Sequence, residues 1–248
     1  MEYTNSPLVS YMQLSPNHSG LRTHSIDRIS PHCVVGQCSV ETLGNIFAPV
    51  SRQASSNYGI GVDGRIAMYV EEQNRSWCTS SKDNDQRAVT IECASDTTDP
   101  YAMNGSVYAS LVKLCADICR RNGKKKLVWI PDKDKALAYN PKTDEMLLTV
   151  HRWFDSRKSC PGDWLYNRLG NLAVEVTGLL ADPVPAQQTG TPGDGNTPHK
   201  WADEAVKWAV TKGILKGSSS GAKDYRLNDP VTREEVLTFI HRAMKGGD

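Results

Sequence analysis

Apolar and polar positions alternate with a period of two from Arg87 to Ala94, a run rich in Val, Thr and Ile, which predicts a strand with Glu92 on the same face as Thr90 and Ala94. Ile29 to Val35 reads as a second short strand carrying His32 near its end. Pro31 removes one backbone donor there and implies an edge position or a bulge. Asn57 to Val62 and Arg65 to Val70 flank Asp63-Gly64, a dipeptide favoured in type I′ hairpins. Leu127 to Ile130 and Met146 to Val150 are short apolar runs of strand type, the latter delivering His151.

Between these runs the period changes to that of a helix. Leu43, Ile46 and Phe47 form one face behind a Ser39 cap and stop before Pro49. Val107, Leu111, Leu114, Cys115 and Ile118 do the same behind Ser106, closed by Asn122-Gly123. Leu165, Leu169, Leu172, Val176 and Leu179 keep the spacing after Asp163. Residues 1–28 show no period and read as an arm that wraps the domain, with His18 and His24 at its surface. Residues 183–199 hold four Pro and three Gly without an apolar period, which marks a linker. Beyond it, Trp201 to Lys212 and Thr232 to Lys245 are amphipathic, with Trp201, Ala205, Trp208 and Ala209 expected to face Val236, Leu237, Phe239 and Ile240. The chain thus divides into 1–182, the linker 183–199, and a small helical module at 200–248.

Composition narrows the function classes. With 248 residues, 39% hydrophobic and 23% charged, the chain can bury a full core. Lys and Arg balance Asp and Glu at twenty each in residues 1–182 and stand at nine against eight in 183–248, so neither part is built electrostatically for nucleic acid. Lys124-Lys125-Lys126 reads as a solvated loop. The N-terminus has no secretion signal and no span reaches membrane length, which predicts synthesis in the cytoplasm. Seven cysteines cannot all pair with one another and fall outside any disulfide framework spacing, so most are expected as free thiols. Cys115 and Cys119, four apart on a helical face, suit core packing better than a metal.

The candidate chemistry lies between Thr149 and Gly162. His151 precedes Cys160 by nine residues, with a strand before and a Pro-Gly turn after, which suits two ligands of one Zn²⁺. A catalytic zinc takes three protein groups and leaves a position for water, and His32 is the best candidate for the third. Glu92 on a strand is open to two readings, a satisfied structural carboxylate or a catalytic one.

Taken together, the His32 segment, the hairpin with Tyr58, the strand Ala88-Val89-Thr90-Ile91-Glu92, and His151 through Cys160-Pro161-Gly162 resemble the zinc N-acetylmuramoyl-L-alanine amidases. That family includes bacteriophage endolysins and peptidoglycan-recognition proteins, and the resemblance covers roughly residues 28–180. It implies an α/β fold with a central mixed β-sheet flanked by helices, and a groove over a Zn²⁺ cofactor that accepts the peptidoglycan stem peptide. The bond cut would be the amide between N-acetylmuramic acid and L-alanine. Matched residue by residue, His32, His151 and Cys160 correspond to the family's zinc ligands. Tyr58 corresponds to a Tyr that hydrogen-bonds near the metal, Lys158 to a residue that stabilises the oxyanion, and Glu92 to a catalytic Glu of related endolysins. The thiol at Cys160 favours an active enzyme, since non-hydrolytic members lack it. Two departures stand out: Pro31 replaces an apolar strand residue, and Cys78 follows Trp77 where many members have His.

The C-terminal module resembles one S-layer homology repeat, through Trp201-Ala202-Asp203-Glu204-Ala205-Val206-Lys207-Trp208-Ala209, Gly213-Ile214-Leu215-Lys216-Gly217 and Val231-Thr232-Arg233-Glu234-Glu235. Such repeats bind secondary cell-wall polymers, and the other reading is an oligomerisation appendage, with a homo-oligomer as its product. The expected partners are therefore bacterial peptidoglycan and such a polymer, with neither nucleic acid nor membrane. Without a secretion signal, an endolysin in an infected bacterium, reaching the wall after holin-type release, fits best. Two rival functions remain at this level: a Cys-His peptidoglycan endopeptidase with Cys160 as nucleophile and His151 as base, and a non-hydrolytic peptidoglycan receptor.

Overall fold

The computed structural model describes residues 4–181, 203–216 and 233–245. The chain forms two compact units, Met1–Pro183 and Val184–Asp248. In the first, the strands are β1 (Tyr11–Met12), β2 (His18–Leu21), β3 (Arg28–Cys33), β4 (Tyr58–Ile60), β5 (Ile66–Met68), β6 (Asn74–Ser76), β7 (Ala88–Cys93), β8 (Lys126–Val128) and β9 (Glu145–Leu148). The helices are α1 (Val40–Phe47), α2 (Lys82–Arg87), α3 (Gly105–Arg121), α4 (Lys133–Ala138), α5 (Asp163–Tyr166) and α6 (Leu169–Leu180). Seven strands make one sheet in the order β1-β5-β4-β7-β3-β9-β8, and β2 pairs with β6 in a small second sheet. Only β4 and β5 run antiparallel in the large sheet, so it is mixed, as expected.

Parallel strands need a covering layer on their faces. The alternation in β7 supplies one face for it: Val89, Ile91 and Cys93 are buried in the core cluster that also holds Leu111, Leu114, Cys115 and Ile118 of α3 and Leu169, Leu172 and Val176 of α6. Both Cys115 and Cys119 are buried free thiols in that core. Ser39 caps α1 through Thr42 N–H, as its position in sequence suggests. The Asp63-Gly64 turn joins β4 to β5, with Gly64 at φ +84, a conformation that any side chain would strain.

Several expectations are corrected. Asn104, two residues upstream of Ser106, caps α3 by accepting from Val107 N–H. The long helix after Asp163 is two helices, α5 and α6, and Leu179 is half exposed while Leu180 takes the buried position. The N-terminal segment supplies β1, which pairs in parallel with β5 at the sheet edge, as well as β2. Pro31 lies in a central strand without a bulge, yet β9 pairs with β3 only at Arg28 and Ile29. Proline therefore falls where β7 is the remaining neighbour of β3, and the lost donor breaks no ladder bond to β9.

In the second unit, α7 (Asp203–Thr211) and α8 (Arg233–Lys245) occupy the stretches expected to be helical. Gly213 closes α7 at φ +68, with its N–H donating to Val210 O and Ile214 N–H to Ala209 O. Among the described residues of the faces expected to meet, Trp208 is 52%, Leu237 66% and Ile240 50% exposed, while Ala209 and Phe239 are partly buried. Trp201, the side chain of Val236, and the linker 183–199 lie outside the described residues. Among the described residues, no helix is long and apolar enough to cross a membrane.

Candidate active site

Ligands of parallel sheets gather at the carboxyl ends of the strands. His32 stands at that end of β3, Glu92 directly opposite it on β7, and His151 just beyond β9. Cys160 comes to the same place because its loop is pinned: Arg152 N–H donates to Cys160 O (3.1 Å), and the Arg152 guanidinium to Ser159 O and Asp163 Oδ1. Gly162, at φ +78, lets this loop press on the neighbouring segment, since a Cβ there would lie 2.9 Å from both Pro100 O and Tyr101 Cβ.

The result is a cluster in which one donor atom each of His32, His151 and Cys160 lies within 4.8 Å of the others. Cys160 Sγ is 3.1 Å from His32 Nδ1, and Glu92 Oε1 is 4.0 Å from the same nitrogen. Ser80 Oγ is 2.8 Å from His151 Nε2, which occupies one ring nitrogen and leaves the other for a ligand. His32 is 1% exposed, and its Nε2 has no hydrogen-bond partner. Buried polar atoms without a partner are rare enough to imply an unseen ion or water.

The electrostatics follow from burial. Desolvation, then the neighbouring His151, holds the His32 pKa well below the ordinary imidazole range. The His151 pKa is lowered to about 4, first by burial and then by Lys158. Burial raises Cys160 well above the ordinary thiol range, and it pushes Glu92 up to about 7 against the opposing pull of Cys78, Arg52 and Lys158. Two neutral imidazoles and a thiol that only a strong neighbouring charge would ionise suit a divalent cation. A cavity of about 340 Å³ opens over the cluster, and Lys158 and Trp77 stand on its wall.

Tyr58 is not in this cluster. In register it pairs with Ile91, not Glu92, so its side chain takes the core face of the sheet. There its hydroxyl donates to Glu72 Oε1 (2.6 Å) and accepts from Ser6 N–H, while Arg121 pairs with Glu72. The expected contact with the metal region is replaced by a buried structural network. Sequence reading also missed Asp85, whose carboxylate accepts from Cys78 N–H, Thr79 N–H and the Thr79 hydroxyl and so fixes the loop that presents Ser80 to His151. Short polar runs such as Thr79 to Asp85 carry no period, and nothing in them marks a site before the fold closes.

Comparison with known proteins defines the class first: a bacterial cell-wall amidase domain followed by an S-layer homology domain, the latter matching residues 194–237. The N-acetylmuramoyl-L-alanine amidase family model matches residues 16–163, more than half of the chain, and the chain belongs to that family of peptidoglycan hydrolases. No curated protein matches it in sequence. Among solved structures, a selenomethionine derivative of AmpD is 17% identical with a TM-score of 0.50, covering 70% of this chain and 99% of its own. A mutant endolysin from Bacillus subtilis is 12% identical with a TM-score of 0.45, covering 67% and 97%. LysCS, an endolysin N-acetylmuramoyl-L-alanine amidase from Clostridium intestinale URNW, is 13% identical with a TM-score of 0.43, covering 66% and 95%. The TM-score of 0.50 with AmpD marks a likeness of fold.

Proposed function

We propose that the chain cleaves the amide between N-acetylmuramic acid and L-alanine with a Zn²⁺ held by His32, His151 and Cys160. The observation that carries this reading is the convergence of those three donors beside Glu92 at the carboxyl ends of β3, β7 and β9. When bound, the zinc supplies a Lewis acid that polarises the scissile carbonyl and acidifies water. Glu92 takes the proton of the attacking water on a carboxylate oxygen and passes it to the leaving nitrogen of L-alanine. Its burial makes it a stronger base than a solvated carboxylate. Lys158, on the groove wall, lends its ammonium to the negative charge that develops on the carbonyl oxygen. Ser80 and Asp85 hold His151 in place.

The second unit serves attachment to the wall, through a secondary polymer or by self-association of its exposed apolar positions Trp208, Leu237 and Ile240. We place the action at the bacterial wall after release of an endolysin from the cytoplasm.

One rival has an observation behind it. Cys160 Sγ at 3.1 Å from His32 Nδ1 is a thiol–imidazole contact, the geometry of a cysteine nucleophile. Burial acts against it, because it keeps the thiol protonated and both imidazoles neutral. The test is release of L-alanine amino groups from purified peptidoglycan, with metal content measured in parallel. The zinc reading expects activity to vanish on chelation and return with Zn²⁺. Activity that survives metal stripping and is destroyed by thiol alkylation would establish the cysteine mechanism instead.

A further inference from the structure

We propose that Cys78 is a positioning residue for Glu92: its thiol donates to one carboxylate oxygen and fixes the plane in which Glu92 meets the attacking water. The proposal rests on the reading of Glu92 as the general base. Cys78 Sγ lies 3.8 Å from Glu92 Oε1, within the reach of a sulfur donor. Among the described residues, no other hydrogen bond reaches that carboxylate: His32 Nδ1 stands 4.0 Å from Oε1, and Oε2 is buried without a partner. Arg52 and Lys158, in the wall of the same cavity, act on it through their charge.

A carboxylate on a flexible stem needs such a hold. The ladder of β7 fixes the backbone of Glu92, but the last side-chain torsion, which turns the carboxylate plane, has only a broad preference of its own. A general base must bring an oxygen within about 3.2 Å of the proton it takes, so a carboxylate free to turn spends part of its time misaligned.

The sulfur can supply the hold because its backbone is braced on both sides. Trp77 N–H donates to Ser55 Oγ (3.0 Å) and Ser55 N–H to Trp77 O (2.9 Å), while Cys78 N–H donates to Asp85 Oδ2 (3.1 Å) and the Thr79 hydroxyl to Asp85 Oδ1 (2.7 Å). Asp85 is itself buried, on α2. Burial, then the charges of Glu92 and Asp85, keeps the Cys78 thiol protonated and therefore a donor. A thiol is also a weak donor. It orients the carboxylate while leaving it basic, where an ammonium or guanidinium bonded at the same place would draw off much of that basicity.

The test measures kcat and KM on a soluble N-acetylmuramoyl peptide, together with bound zinc, for Cys78→Ala and Cys78→Ser in the full chain, with rates referred to the folded fraction. Alanine should lower kcat by about tenfold or more with KM and zinc content unchanged, and serine, which restores a donor at the same place, should recover most of that loss. The Cys78→Ala change made in a Glu92→Gln chain should cost nothing further, because without a base its orientation has no effect on rate. Parent kcat in Cys78→Ala, an equal loss with alanine and serine, or an undiminished cost in the Glu92→Gln chain overturns the positioning role and leaves Glu92 as the base. Loss of zinc from Cys78→Ala overturns it in favour of a metal ligand. Near-parent kcat in Glu92→Gln alone overturns the reading of Glu92 on which the proposal stands.

Discussion

The two faces of the central sheet are made by the same strands and do opposite things. On one, Val89, Ile91 and Cys93 of β7 are fully buried in an apolar core with α3. On the other, one residue out of step, Thr90 and Glu92 of β7 stand with Ser30 and His32 of β3. The second face is also largely buried, yet its polar groups are used: Ser30 Oγ meets Thr149 Oγ1, and Asn84 bonds to both, while Thr90 Oγ1 meets Ser76 Oγ and donates to Asn57 Oδ1. Satisfied hydrogen bonds make a polar layer tolerable in the interior, and at its rim the pairing stops at His32 Nε2 and Glu92 Oε2. At the carboxyl ends of the strands the site begins where this polar layer runs out of internal partners, while at its opposite end Arg28 leaves only its Nε unpartnered and bonds Asn84 through its guanidinium.

The comparison can be broken most directly at the ligand positions. His151→Ala and Cys160→Ser should each abolish turnover together with bound zinc, since each removes one of three donors. Wild-type hydrolysis by either variant would end the metal assignment. Glu92→Gln should keep metal and fold and lose about 10² to 10⁴ in kcat, with a smaller loss for Lys158→Ala. Ile91→Ala, one residue away on the apolar face, should invert that pattern. It costs about 2 to 5 kcal/mol in denaturant unfolding through the cavity it leaves, while the folded fraction keeps its specific activity.

A fourth test concerns pH in the metal-free protein. Glu92 is raised from 4.5 to about 7, so its contribution to stability is present at low pH and is lost as pH rises through that window. His151 is lowered from 6.5 to about 4, so stability is lost as pH falls through its own window. The two slopes oppose each other between about pH 4.5 and 6.5, and each spans on the order of 3 kcal/mol at most. Glu92→Gln should therefore uncover a stability that climbs with pH from about 4 to 6.5, readable as Tm across a pH series. A profile unchanged by the substitution would show that Glu92 is not buried as described. The smallest effect belongs to the second unit: Leu237→Ser, at an exposed position, should shift unfolding by no more than about 0.5 kcal/mol while lowering retention on intact walls. Equal retention would remove Leu237 from the attachment surface.

How much of this was readable from the chain alone depends on what each residue needed. His32, Glu92, His151 and Cys160 are each tied to a strand end or a Pro-Gly turn, and such local signals survive without a fold. The face of Glu92 followed from period-two alternation within one strand. Tyr58 needed more, namely the register between β4 and β7, and a shift of one residue separates the site face from the core face. Asp85, Ser80 and Cys78 depend on a loop closing over β7 and have no period to betray them. Likewise Pro31 looked like an edge residue because sequence shows the missing donor but not where β9 ends. The exposed apolar positions of α7 and α8 have the pattern of a buried face, and amphipathicity alone does not say what covers it.

The pinning of Cys160 by Arg152 has one more consequence. The bonds from Arg152 to Ser159 and Cys160 close the base of the loop, and above it residues 155–158 form a small turn in which Lys158 N–H donates to Asp155 O (3.0 Å) and the Arg157 guanidinium pairs with the Asp155 carboxylate. Extending the exposed tip at Ser156 and Arg157 then leaves both anchor points in place, and doubling such a loop costs only about 0.6 kcal/mol in closure entropy. The rim of the groove is thus a graft point, where foreign peptide can be inserted to retune what the cleft accepts without rebuilding its floor.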